Sequence, residues 1–323
     1  MNLLKKILNR CCGLTYPQDF LCLSGETLEK PLHLYLVDGG KVQKDITHLH
    51  AFIGYCPVLF ALPALHEINN SPVIETLFSS QRLSEGESYH GAQVMATLIF
   101  IRLAVQSSAG GSFFYFEAIH GKHRFTTAFH QGAGQLYNRL YNRVPGNVFL
   151  KGNLFKQVQI AYALARKICL ITVERQGLYN LFPTDLHGMV TNGYYIISLR
   201  NGGMACEQVM QTKRIVLSEM HSSAYRQVYG LGKNHMQPMK DITTFPFGAE
   251  TSNFFHLPLP KERTAYRELV LKDVYGAGIH NLLLFKIVNE QCCERQLQTL
   301  VHLHNVYATW RQKNGLSGNY LLR

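Results

Sequence analysis

Asn180, Thr184, Asp185 and His187 crowd into one short stretch of the segment "GLYNLFPTDLHGMVTNGYYIISLRN" at 177–201. Arg200 and Asn201-Gly202-Gly203 follow the next apolar run. Glycines ahead of a helix N-terminus leave backbone N–H groups unpaired and let a ligand approach closely, which suits a phosphate. Arg200 can add charge-assisted hydrogen bonds to the same anion. The segment is therefore either a plain strand–turn–helix connection or a loop shaped to hold an anionic ligand. No nucleophile–base pair, zinc-protease spacing or Walker-type glycine loop accompanies it.

Two other constellations were weighed. His120-Gly-Lys-His123, with His130 nearby, has a metal-like spacing, but no carboxylate or cysteine partner, and Lys122 lies between the histidines. Surface or turn histidines, and no metal site, are the expectation. "YNRLYNR" at 137–143 sets Arg139 and Arg143 on one helix face and Tyr137 and Tyr141 on another. Such interleaving can bind nucleic acid, but an amphipathic helix with a solvated basic edge explains it better, so nucleic acid is not an expected partner.

The elements that must position these residues read mainly as β structure. Strand-like runs rich in Val, Ile, Tyr and Phe occur at 32–37, 57–62, 94–105, 112–119, 167–173, 193–199, 213–219 and 279–288. Strands and helices do not alternate regularly, which argues against a parallel doubly wound sheet. A helix is expected at 134–144, a domain break near 145–165, and a packing helix at 295–315. In that last helix Leu297, Leu300, Val301, His304, Tyr307 and Trp310 form one stripe, and Asn314-Gly315 ends it. "THLHAFIGYCPVLFAL" (47–62) can be laid without gaps over "TDLHGMVTNGYYIISL" (184–199), with Thr, Leu-His and the last Leu in common, so a duplicated barrel is one reading.

Composition narrows the class. The 323 residues allow one large core or two ordinary ones. No apolar run reaches the roughly 20 residues of a membrane-spanning helix, and "MNLLKKILNRCCGL" does not read as a signal peptide. Eight cysteines without a C-x-x-C pair fit reduced thiols in the cytoplasm. The net charge of +11 is spread along the chain, a diffuse field that attracts nucleotides and other phosphates.

From about 160 to 290 the chain resembles the flavin reductase-like, FMN-binding split-barrel family. "ARKICLITVERQGLYNLFPTDLHGMV" resembles the family's opening strand, glycine turn and Asn-x-x-Pro-Ser/Thr flavin loop. "NGYYIISLRNGGMACEQVMQTKRIVLSEM" resembles its apolar strand, phosphate turn, short helix and next strand, and "GAGIHNLLLFKIVNE" its Gly-Asp-His segment. The resemblance implies that Asn180, Pro183, Thr184, Asp185 and Leu186 line the isoalloxazine ring. It places Arg200, Asn201, Gly203, Ala205 and Cys206 near the ribityl phosphate, and His280 beside the flavin or the incoming nicotinamide as the catalytic residue. Ile279 stands where the family has its acid, and Met204-Ala205-Cys206 where hydroxyl residues are common.

The resulting expectation is a mainly β protein with α+β additions. Residues 155–323 would form an FMN-binding split β-barrel, preceded at 1–150 by an α+β module of unassigned role or a degenerate partner barrel. The implied function is an NAD(P)H-dependent flavin reductase-like oxidoreductase, cytoplasmic and homodimeric, using FMN or, in its place, FAD. A non-catalytic flavin- or ligand-binding split barrel is the alternative.

Overall fold

A computed structural model describes residues 11–141, 148–292, 298–316 and 318–321. The runs rich in Val, Ile, Phe and Tyr form strands, because such side chains fit a pleated, half-buried surface. The chain opens with β1 (Phe20–Ser24), then β2 (His33–Asp38), β3 (Lys41–Asp45), β4 (Ala51–Tyr55) and β5 (Val58–Pro63). With β6 (Val73–Ser79) and the long hairpin of β7 (Ala96–Ser108) and β8 (Gly111–His123), strands β2 to β8 make a seven-stranded antiparallel sheet. Its order is β3-β2-β6-β7-β8-β5-β4. The first half thus carries a sheet of its own, in the region expected to be an α+β module or a degenerate partner barrel.

Two helices follow, α1 (Ala128–Tyr141) and α2 (Leu154–Ala161). Expected at 134–144, α1 begins earlier, and 142–147 lie outside the described residues, as does Arg143. The second half runs β9 (Arg166–Lys167), β10 (Cys169–Arg175), β11 (Leu178–Thr184), β12 (His187–Thr191) and β13 (Tyr194–Arg200). Then come α3 (Met204–Thr212), β14 (Arg214–Met220), α4 (Tyr225–Gly230), the small pair β15 (Phe247–Thr251) and β16 (Pro258–Pro260), and the hairpin of β17 (Arg263–Ala277) and β18 (His280–Cys292). Its main sheet also has seven strands, ordered β11-β10-β14-β17-β18-β13-β12. Neither sheet closes on itself.

The chain ends with β19 (Leu300–His304) and α5 (Asn305–Lys313). This corrects the expected helix at 295–315: Leu300–His304 is a strand between β1 and β9, buried for most of its length, and only the residues from Asn305 onward are helical. The sequence signal misleads because a strand buried on both faces has continuous apolar character, which periodicity cannot separate from a helix. Residues 293–297, including Leu297 of the stripe, lie outside the described residues.

One apolar core joins Leu34, Phe60 and Phe100 of the first sheet to Val158 and Ile160 of α2 and to Val306 and Tyr307 of α5. Both helices therefore pack with the first half. A second core, with Ile171, Phe182, Leu217 and Phe285, fills the second sheet beneath α3. A third lies between the sheets, where Ile53, Leu59 and Tyr115 meet Val190, Ile196 and Leu284. No helix among the described residues is long and apolar enough to cross a membrane.

Candidate functional site

The end of β13 and the start of α3 set the site's polar side. Strand β13 delivers Ser198, Leu199 and Arg200, and the chain then turns through Gly202, at φ 69°, into a helix capped by Gly203. Among the described residues, the amides of Met204 and Ala205 have no backbone acceptor, as the first turn of a helix requires. Arg200 is exposed, and its guanidinium makes no hydrogen bond or ion pair within the described residues. Across the sheet Arg200 pairs with His280, the first residue of β18.

These residues share a cavity of about 310 Å³ with Pro183, Thr184, Asp185 and Leu186 from the link between β11 and β12. That volume is at the lower end of the about 300–1,000 Å³ of small-molecule sites. Gly203, Ala205 and Cys206 also line it, so most of the residues singled out in the sequence converge on one place. Two do not. Asn180 is fully buried behind the wall, its amide donating to Gln208 Oε1 at 2.7 Å and to the Asn234 carbonyl at 3.1 Å. Its neighbours on both sides are packed, so it ties α3 and the 231–236 segment to β11 instead of facing a ligand. Asn201 is exposed and is tied to the 278–279 turn: its backbone N–H donates to the Ile279 carbonyl at 2.9 Å and its amide to Gly278 at 3.3 Å.

Five wall residues lie outside the set expected from the sequence: Tyr55, Ser198, Leu199, His235 and Met236. Tyr55 comes from β4 in the other half of the chain and meets the His280 ring edge-on at 5.0 Å. The one sequence signal for Ser198 is that it is the single serine inside the apolar run "YYIISL". His235 reaches the wall through a hydrogen bond to the Pro183 carbonyl at 2.7 Å.

His280 is 2% exposed, and among the described residues neither ring nitrogen has a hydrogen-bond partner; the buried Ser198 hydroxyl likewise has none. Buried polar groups nearly always find partners, and leaving one without costs about 1–3 kcal/mol. Burial lowers the His280 pKa to about 4, with the Asp185 charge opposing and the Arg200 charge assisting, so the ring is neutral at pH 7. Three unsatisfied polar atoms in a mostly apolar cavity, with an unpaired Arg and a helix start at one end, fit a ligand with a flat polar-edged body and an anionic tail.

The floor carries charge in a fixed form. Burial alone would raise the Asp185 pKa, but the His302 hydrogen bond and charge, with Arg166 and His187 behind them, hold it at about 2. His302 Nε2 lies 2.8 Å from Asp185 Oδ2. Arg166 donates to the Asp185 carbonyl at 3.0 Å and to the Phe52 carbonyl at 2.9 Å, linking the floor to the first half. His187 sits behind the wall, bonded to the Tyr195 hydroxyl at 2.7 Å, and burial lowers its pKa to about 4. Burial pushes the Cys206 thiol pKa up.

The histidines weighed for a metal are dispersed: His123 is buried against Gln159 and stacked on Phe125, a core residue where a surface one was expected, and His130 bonds Thr127. Among the described residues no three His, Cys, Asp or Glu side chains cluster as metal ligands would.

No protein-family profile matches the chain, and no curated protein does. Solved structures do, and among them are flavin reductases and FMN-binding proteins, the family resembled in sequence. The FMN-binding protein of Thermus thermophilus is 17% identical, with a TM-score of 0.36, over 40% of this chain and 73% of its own. The flavin reductase component of a bacterial two-component tryptophan halogenase is 15% identical at a TM-score of 0.41, over 47% of this chain and 94% of its own. An NADH:FAD oxidoreductase of Streptomyces globisporus is 10% identical at a TM-score of 0.42, over 50% of this chain and 95% of its own.

Proposed function

We propose that the cavity holds a flavin mononucleotide and that the chain is a flavin-dependent oxidoreductase taking electrons from NAD(P)H. The observation that carries this reading is the pair of buried, unsatisfied groups, His280 and Ser198, facing the same cavity as Arg200 and the α3 N-terminus. Arg200 and the Met204 and Ala205 amides would take the phosphate, since a helix start with an adjacent guanidinium favours a dianion. The apolar wall of Leu186, Leu199 and Met236 would pack a ring system, and Ser198 and His280 would bond its polar edge. The flavin, when bound, supplies the hydride-transfer chemistry, and the protein positions it. This explains why no triad or metal cluster accompanies the cavity. Under this reading the second sheet with α3 is a split barrel of the flavin reductase type. Eight cysteines without a disulfide framework suit a cytoplasmic protein.

Ile279 favours a second reading, a flavin holder without turnover, because it stands where the resembled motif has an acid. Purified protein showing the absorbance of oxidised flavin, or acquiring it on incubation with FMN, supports both. NADH consumption above the uncatalysed rate with FMN present then selects the oxidoreductase; flavin binding without consumption selects the holder. A colourless protein that takes up no FMN refutes both.

A further inference from the structure

The two seven-stranded sheets have one topology. Numbered from their own first strands, both read second, first, fifth, sixth, seventh, fourth, third. The long hairpins agree residue by residue. In β7–β8 the register slips at Leu103 and again at Ile119; in β17–β18 it slips at Lys272 and Val288. Counted from the hairpin turn, Leu103 and Lys272 occupy the same position on one strand, and Ile119 and Val288 the same position on the other. Bulges re-aim a strand at a defined place, so two coinciding pairs point to a shared ancestor for the two hairpins.

The halves also face each other reciprocally. The 278–279 turn of the second hairpin presses on the β4–β5 turn, where a side chain on Gly278 would overlap Pro57 and the Cys56 carbonyl. The 109–110 turn of the first hairpin presses on the β12–β13 turn, where a side chain on Gly110 would overlap the Asn192 carbonyl. Near the centre the equivalent strands β4 and β12 touch, with Ala51 against Gly188. Each hairpin thus caps the opposite half's turn, the arrangement a two-fold pair of identical units would have.

Only one of the two cradles survives. β5 ends in Pro63 and continues into a three-residue 3-10 turn, His66–Ile68, where β13 ends in Arg200 and continues into the nine residues of α3. Gly111 begins β8 where His280 begins β18. At the position corresponding to Tyr55 stands Thr191, whose hydroxyl lies 3.1 Å from Ser108 Oγ and whose methyl lies within contact distance of a Cβ built on Gly111. In the intact cradle Tyr55, at the end of β4, reaches in from the other half.

From these features we infer that the chain is an internal duplication whose first copy serves as a built-in partner. It has lost its own ligand site and lends Tyr55 to the single site of the second copy, so that one chain holds one ligand without a second subunit. The stoichiometry rests on the flavin reading proposed above; the built-in partnership rests on topology and packing.

Native mass spectrometry of the intact chain with and without FMN tests it, with affinities from fluorescence titration. The expected result is a monomer that takes up one FMN. Tyr55→Leu should weaken FMN binding about tenfold with an unchanged circular dichroism spectrum, while Thr191→Val, at the corresponding position of the second copy, should leave affinity within twofold. Two FMN per chain, an obligate dimer that loses FMN on dissociation, or an unchanged affinity in Tyr55→Leu overturns the inference. If the natural chain takes up no FMN, the flavin reading falls; a monomeric mass then still upholds the built-in partner, and an obligate dimer refutes it.

Discussion

In the first sheet the strand ending at Pro63 leads into a single 3-10 turn; in the second its counterpart ends at Arg200 and leads into a nine-residue helix. The strand order is the same and so are the bulges of the long hairpins. What differs is confined to strand ends and the connections after them: Arg200, the α3 start and His280 on one side, and Pro63, a short turn and Gly111 on the other. Under the proposed reading, function resides in groups grafted onto a fold that two regions share. In the second half, the unsatisfied buried atoms of Ser198 and His280 belong to residues that line one cavity with Arg200.

The sharpest way to break the comparison is at the reciprocal turns. Gly278→Ala combines a left-handed φ of 58° with overlap against Cys56 and Pro57, and should destabilise the chain by about 3 kcal/mol in denaturant titrations. Gly110→Ala, which overlaps the Asn192 carbonyl, should cost a similar amount. Gly40→Ala, at φ 77° with open space around it, should cost only about 1 kcal/mol. Equal, small costs at all three would mean that the turns do not bear on each other.

Next in size is Arg200→Ala, which should weaken FMN binding by about 2 kcal/mol, roughly thirtyfold, and flatten its salt dependence. An unchanged Kd would place the phosphate elsewhere. The smallest effect separates stability from function. His280→Phe removes two unsatisfied nitrogens and should stabilise the ligand-free chain by about 1 kcal/mol while weakening binding. Because burial lowers the folded-state pKa of His280 from 6.5 to about 4, unfolding takes up a proton in that window. Wild-type stability should therefore fall as pH drops from 6.5 to 4, and the advantage of His280→Phe should grow over the same range. A pH-independent difference between the two proteins would contradict the neutral, buried ring.

Much of this was legible in the sequence, and the failures have physical causes. Runs such as "SFFYFEAI" and "KICLITV" announce strands because aromatic and β-branched side chains fit few other places. Thr184, Asp185 and Arg200 stood out by type and spacing, the family resemblance added Pro183, Leu186 and His280, and the structure brings them together. Asn180 looked like a ligand contact, but sequence alone does not show that Gln208 and the Asn234 carbonyl claim its amide. Tyr55 was out of reach because it enters from a strand more than a hundred positions away, and His235 and Met236 sit in a polar segment without periodicity. The echo between 47–62 and 184–199 fell on β4–β5 and β12–β13, corresponding hairpins of the two sheets. Its gapless alignment misses the turn register by one residue, since Tyr55 pairs with Val58 as Thr191 pairs with Tyr194. A one-residue slip exchanges the faces of a strand, which is why the identities were so few.

The most direct test is a crystal structure of the chain grown with FMN. The account predicts one FMN per chain, its phosphate on Arg200 and the Met204 and Ala205 amides, and its ring edge within hydrogen-bond distance of Ser198 and His280. FMN bound at any other place, or a saturating concentration that leaves these groups without a ligand, would contradict it.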